Sequence, residues 1–268
     1  MRKIRIWTAF FVSVALAIVR TVLVTSYMEK SDYFDHVYYL SENIFVTLFT
    51  VAACLFVVVS LACSVWFNKK MVVSVNKKDI SPTAAACMYA FLLLGTVVIL
   101  GISILNGELT LGFGTLALAI LSIGTAISFL ASAVRIRGDI SLGLLTLFPI
   151  LLYVVRFFYR FIATSAALNA GSGIYQLVAV ALLAAFFVCE GDAYLSRGKA
   201  FGFYFTGTCA ILFVLVYSVP TISLICMGSL GFDYNASLAA ADIVAAVYVL
   251  RRMLSATSVL AQEATDEE

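Results

Sequence analysis

Apolar positions in this chain come in unbroken runs of about twenty residues, and polar positions gather in short knots between them. Eight runs stand out: Ile6–Tyr27, Asn43–Phe67, Thr83–Leu105, Leu109–Val134, Ile140–Arg160, Ile174–Leu195, Phe201–Met227 and Asp233–Leu250. About 20 helical residues cross the ~30 Å hydrocarbon core of a bilayer, so each run predicts a spanning helix. Backbone amides cannot go unpaired in lipid, and the short alternating segments of a membrane barrel are not the pattern here. The expected fold is an all-α polytopic membrane protein with eight transmembrane helices. Composition agrees: 63% of the residues are hydrophobic, 12% are charged and the mean hydropathy is +1.07. Soluble domains run at roughly 45–50% apolar and 25% charged.

Eight spans put both termini on one side, and the basic residues indicate which side. With the N-terminus inside, the inner segments hold Arg2, Lys3, Arg5, Lys69, Lys70, Lys77, Lys78, Arg135, Arg137, Arg197, Lys199, Arg251 and Arg252, against Lys30 outside. The positive-inside bias therefore predicts cytoplasmic N- and C-termini in a plasma membrane. Acids collect on the other side: Glu29, Asp32, Asp35 and Glu42 beside the single histidine His36, then Glu108 and Asp233. The longest inner connection, 68–82, reads as a basic loop able to lie on an anionic leaflet. The domain expected is one transmembrane unit over 1–260, followed by an acidic cytoplasmic tail at 261–268 that reads as disordered.

An internal repeat is weighed next. "AIVR" ends at Arg20 in the first run and "YVVR" at Arg156 in the fifth, and Arg135 aligns with Arg251. These echoes suggest two parallel halves of four helices, 1–137 and 138–260.

Charges inside the spans are where chemistry is expected, because each costs ~2.5–3.5 kcal/mol at the bilayer centre and needs a partner or a wet pocket. Arg20, Arg156 and Arg160 lie on outward-running helices, and Asp242 falls near the middle of the last span. Together they form the expected intramembrane charged site, with Arg20 or Arg156 paired to Asp242. Tyr153, Arg156, Arg160 and Thr164 share a polar stripe with Pro149. Glu190, Asp192 and Arg197 form a second expected cluster at the cytoplasmic edge. Pro149 and Pro220 are expected to interrupt their helices. Gly114, Ser122, Gly124, Thr125 and Ser128 are small residues suited to close helix packing.

What is missing also matters. No HExxH or GxSxG motif occurs, and no histidine lies within a span. These absences disfavour metalloprotease, serine-hydrolase and haem chemistry. Six cysteines stand singly and read as small core residues, with no metal or cofactor expected. A net charge of +2 argues against nucleic acid. The expected partners are the lipid bilayer, a small anionic solute or protons, and a further membrane protein. The sequence thus favours a small-solute or ion transporter or permease subunit. The alternative is a non-catalytic membrane partner, a sensor or assembly subunit of a larger complex.

Overall fold

The computed structural model describes residues 2–30, 38–40, 44–68, 71–75, 81–107, 112–133, 144–164, 171–195, 197–229, 231 and 233–260. The segment around His36, the basic residues Lys69, Lys70, Lys77, Lys78, Arg135 and Arg137, the acid Glu108 and the tail 261–268 lie outside these residues.

Eight long helices form among the described residues: α1 (Arg2–Tyr27), α2 (Ile44–Asn68), α3 (Thr83–Leu105), α4 (Phe113–Ala133), α5 (Leu147–Thr164), α6 (Gly171–Tyr194), α7 (Ala200–Cys226) and α8 (Tyr234–Ser255). Six of them, α1–α4, α6 and α7, are long and apolar enough to cross a membrane. The other two, α5 and α8, carry the buried charges Arg156 and Asp242. The chain is a multi-pass helical membrane protein.

Central helix α7 packs against α1, α2, α6 and α8, while α8, α3, α4, α5 and α6 follow one another around a ring that α7 closes. Its residues Phe203, Ala210, Leu212 and Val214 are fully buried. Close approach at α7 requires a missing side chain: a Cβ on Gly207 would sit 2.5 Å from Met253 Sδ and 3.1 Å from the Phe186 ring. Gly207→Ala is therefore expected to destabilise the bundle by about 1–3 kcal/mol. Thermal unfolding in mild detergent would check it, and adding Met253→Ala should return part of the loss. The small face of α4 does the same against α5. A Cβ on Gly114 would meet the Tyr159 ring at 3.0 Å, and Ser128 Oγ donates to the Leu145 carbonyl at 2.6 Å.

Two small sheets cap the helices. Strands β1 (Met28–Lys30) and β2 (Tyr38–Leu40) pair antiparallel between α1 and α2. At the other face, β3 (Met71–Ser74) is the central strand between β4 (Gly198–Lys199) and β5 (Thr257–Leu260), antiparallel to both. The segment read from sequence as a basic loop thus contains a strand, because Val73 and Val75 turn into the core and are almost fully buried. Arg2 joins the same layer: its Nη1 donates to Ser258 Oγ at 2.7 Å and its Nη2 to the Ala256 carbonyl at 2.6 Å. The start of α1, the α2–α3 and α6–α7 connections and the residues after α8 consequently share one face.

Several expectations change here. The expected start of the fifth span, Ile140, lies outside the described residues; the helix α5 that carries Arg156 has Pro149 in its first turn and runs one turn past Arg160 to Thr164. Pro220 lies inside α7, which runs continuously through it. Cys54, Cys63 and Cys226 are exposed on the bundle surface rather than in the core. The packing leaves the duplication unconfirmed. Helix α1 lies along α7, whereas its repeat counterpart α5 packs on α4 and α6 instead of α3.

Candidate functional site

Three buried charged clusters occupy the bundle. The first joins α5 to α8. Arg156 Nη1 donates to Asp242 Oδ1 at 2.8 Å and Nη2 donates to Oδ2 at 2.7 Å, a two-pronged pair with side chains 4% and 1% exposed. Tyr153, one turn before Arg156, donates to Asp242 Oδ1 at 3.2 Å, and its hydroxyl meets that of Tyr89 on α3 at 2.6 Å. Counting 1.5 Å per residue puts Arg156 about 14 Å from the start of α5, and Asp242 about 12 Å from the start of α8. With the helices antiparallel, both groups reach the middle of the bundle.

The second cluster lies about 15 Å further along α8. Glu190 Oε1 accepts from Arg252 Nε at 2.5 Å and from the Tyr248 hydroxyl at 2.6 Å, with Tyr194 at 3.5 Å. Arg252 is stacked over the Tyr194 ring, 5.0 Å from its centroid. A cavity of about 20 Å³ touches Glu190, Tyr248 and Ser128, room for roughly one water. The carboxylate of Glu190 therefore pairs across helices with Arg252, not with its sequence neighbour Arg197. Asp192 and Arg197 are exposed and joined through backbone, Arg197 N donating to the Asp192 carbonyl at 3.0 Å. They do not form one cluster with Glu190, since one residue separates the buried face of α6 from its exposed edge.

Aromatic rings fill the space between these clusters. Tyr153 stacks on Phe187 at 5.6 Å, Phe187 meets Phe129 at 5.8 Å, and Phe129 meets both Tyr89 and Tyr248 at 4.8 Å. The sequence of ion pair, aromatic layer and ion pair runs along α8 through the interior.

The third cluster stands apart. Arg20, 1% exposed, lies between α1, α2 and α6 with its guanidinium carbon 4.2 Å from the Tyr175 ring centre and 5.4 Å from that of Phe49. Among the described residues its Nε and Nη2 have no hydrogen-bond partner. Thr50 Oγ1 and the Tyr175 hydroxyl meet at 3.2 Å beside it, and Gln176 donates to the Tyr217 hydroxyl at 2.8 Å. The expected single site of Arg20, Arg156, Arg160 and Asp242 is thus divided. Arg156 and Asp242 are together and Arg160 is half-buried one turn further along α5. Arg20 is held elsewhere, because α1 packs on α7 and α2 rather than on α5.

Sequence reasoning missed Tyr89, Tyr248 and Arg252. The last two sit one helical turn apart on α8, a Tyr-x-x-x-Arg spacing that aims both at the same neighbour. Among the described residues, no group of three or more His, Cys, Asp or Glu is placed to hold a metal ion. Comparison with protein-family models, with curated proteins and with solved structures gives no match.

Proposed function

We propose that this multi-pass membrane protein is a transporter or permease subunit for a small anionic solute, with N- and C-termini cytoplasmic in a plasma membrane. One observation carries this reading: Arg20 is a fully buried guanidinium in an apolar span, and two of its nitrogens, Nε and Nη2, meet no acceptor among the described residues. Buried polar groups are almost always hydrogen-bonded, and an intramembrane cation without a carboxylate needs an anion or water to complete it. Two aromatic faces offset part of the charge, at about 0.5–2 kcal/mol each, but supply no acceptor in line with Nε or Nη2. A small carboxylate or halide would. The Arg156–Asp242 and Glu190–Arg252 pairs are each satisfied within the protein. They would hold the bundle while α1 and α2 move around Arg20.

The test uses purified protein and its Arg20→Met variant in detergent and in proteoliposomes. Chloride, acetate and phosphate should shift the thermal transition of the wild type, and at least one should leave loaded vesicles faster than from protein-free ones. Arg20→Met should lose both responses. No shift and no flux with any of the three, in a wild type that is folded, overturns the proposal.

A second reading has its own support. Helix α2 buries only 11% of its apolar window inside the chain, and Leu48, Val51, Leu55, Val58 and Trp66 are exposed. That face suits a membrane partner subunit. Val58→Arg would weaken such an association while leaving anion flux intact.

A further inference from the structure

Between α1 and α2, at the end that carries Arg2, lies a cavity of about 540 Å³. Its volume lies within the ~300–1,000 Å³ of ligand-binding clefts. Its floor is Tyr204, Thr208 and Met253, from α7 and α8. On α1 the lining runs from Arg2 and Arg5 through Ala9 and Val12 to Leu16, and on α2 from Ser64 back to Ala52. At 1.5 Å per residue these walls extend about 21 Å and 18 Å, a little more than one ~15 Å leaflet of hydrocarbon. The chemistry is graded along the cleft: two guanidinium groups, Ser60 and Ser64 toward the Arg2 end, aliphatic and aromatic carbon beyond.

We propose that this cleft binds an anionic glycerophospholipid of the leaflet on the N-terminal side, one acyl chain lying between α1 and α2 and the phosphate at Arg2 and Arg5. Charge complementarity selects the occupant. Arg2 donates to two neutral acceptors, Ser258 Oγ and the Ala256 carbonyl, and among the described residues it meets no carboxylate. Lys3 lies between it and Arg5. Basic groups at a membrane surface attract anionic headgroups, and a planar guanidinium suits a phosphate better than a point charge does. The chain's only tryptophans, Trp7 and Trp66, are both at this end and 37% and 82% exposed. Tryptophan favours the headgroup level of a bilayer, which sets the mouth of the cleft where the phosphate must be.

The same two tryptophans report the lipid. The full chain, reconstituted in phosphatidylcholine vesicles, is titrated with chain-brominated phosphatidylglycerol or chain-brominated phosphatidylcholine while their fluorescence is read. Brominated phosphatidylglycerol should quench with about fivefold higher apparent affinity, the effect of roughly one basic group's attraction. Arg5→Gln should bring the ratio toward one. Ala52→Phe, which obstructs the apolar end of the cleft where the acyl chain lies and keeps every charge, should also abolish the preference while the thermal transition stays near that of the wild type. Equal quenching by the two lipids in the wild type overturns the proposal. So does a preference that survives Ala52→Phe, since the headgroup would then be held at the surface with no chain seated in the cleft.

Discussion

Asp242→Asn is expected to destabilise the protein by about 3–5 kcal/mol, because it leaves the Arg156 guanidinium buried without its carboxylate. The geometry behind this figure is the two-pronged pair with bonds of 2.8 and 2.7 Å in side chains 4% and 1% exposed. Breaking one side of such a pair costs far more than removing both, since an apolar pair of similar volume needs no desolvation. Arg156→Met combined with Asp242→Leu should therefore recover most of the stability lost by either change alone. Unfolding of the wild type, Arg156→Met, Asp242→Leu and the double variant in a mixed-detergent titration supplies the double-mutant cycle. Strict additivity of the two single losses would mean that the groups do not act as a pair. Tyr153 adds a second expectation, because in the double variant its hydroxyl still has that of Tyr89 as a partner. Adding Tyr153→Phe should therefore cost about 1 kcal/mol more, since it leaves the buried Tyr89 hydroxyl unpaired.

Glu190→Leu is expected to have the second-largest effect, again about 3–5 kcal/mol. A single oxygen, Oε1, accepts from Arg252 and Tyr248, so one substitution strands two buried donors at once. Arg252→Gln should be milder, since Tyr248 keeps its acceptor. The two sites are about 15 Å apart along α8 and share no hydrogen-bonding partner. Losses from Asp242→Asn and Glu190→Leu should then add to within ~0.5 kcal/mol. An excess over additivity, measured by the same titration, would show that the intervening rings of Phe129, Phe187 and Tyr248 transmit strain between the two pairs.

The helical membrane class was legible because lipid removes every backbone alternative, and run length alone then sets the elements. Boundaries came within a few residues for most helices. The end of α8 did not: the helix runs five residues past Leu250 to Ser255, because Arg251 and Arg252 continue it rather than open a loop. The pairing of Arg156 with Asp242 was within reach because depth follows from counting residues along a helix. Which of the two arginines would take Asp242 was not, as Arg20 lies on a helix whose neighbours only the packing reveals. Arg252 was read as one more basic residue on the inner side, although a guanidinium one turn after Tyr248 was free to point inward. The three-stranded sheet was invisible for a different reason. Strands of two to four residues give almost no periodicity, and their partners are separated by more than a hundred positions.

That sheet has a consequence for the order of assembly. Strand β3 follows α2, but its neighbour β5 follows α8, and Thr257 reaches back to the carbonyl of Ser74 across 183 positions. During synthesis β3 must wait, one edge unclaimed, while six more helices are made. Arg2 waits longer still for Ala256 and Ser258. The face that holds the lipid cleft is therefore latched last, by residues that emerge only after α8 is complete. Until then, lipid has free entry between α1 and α2.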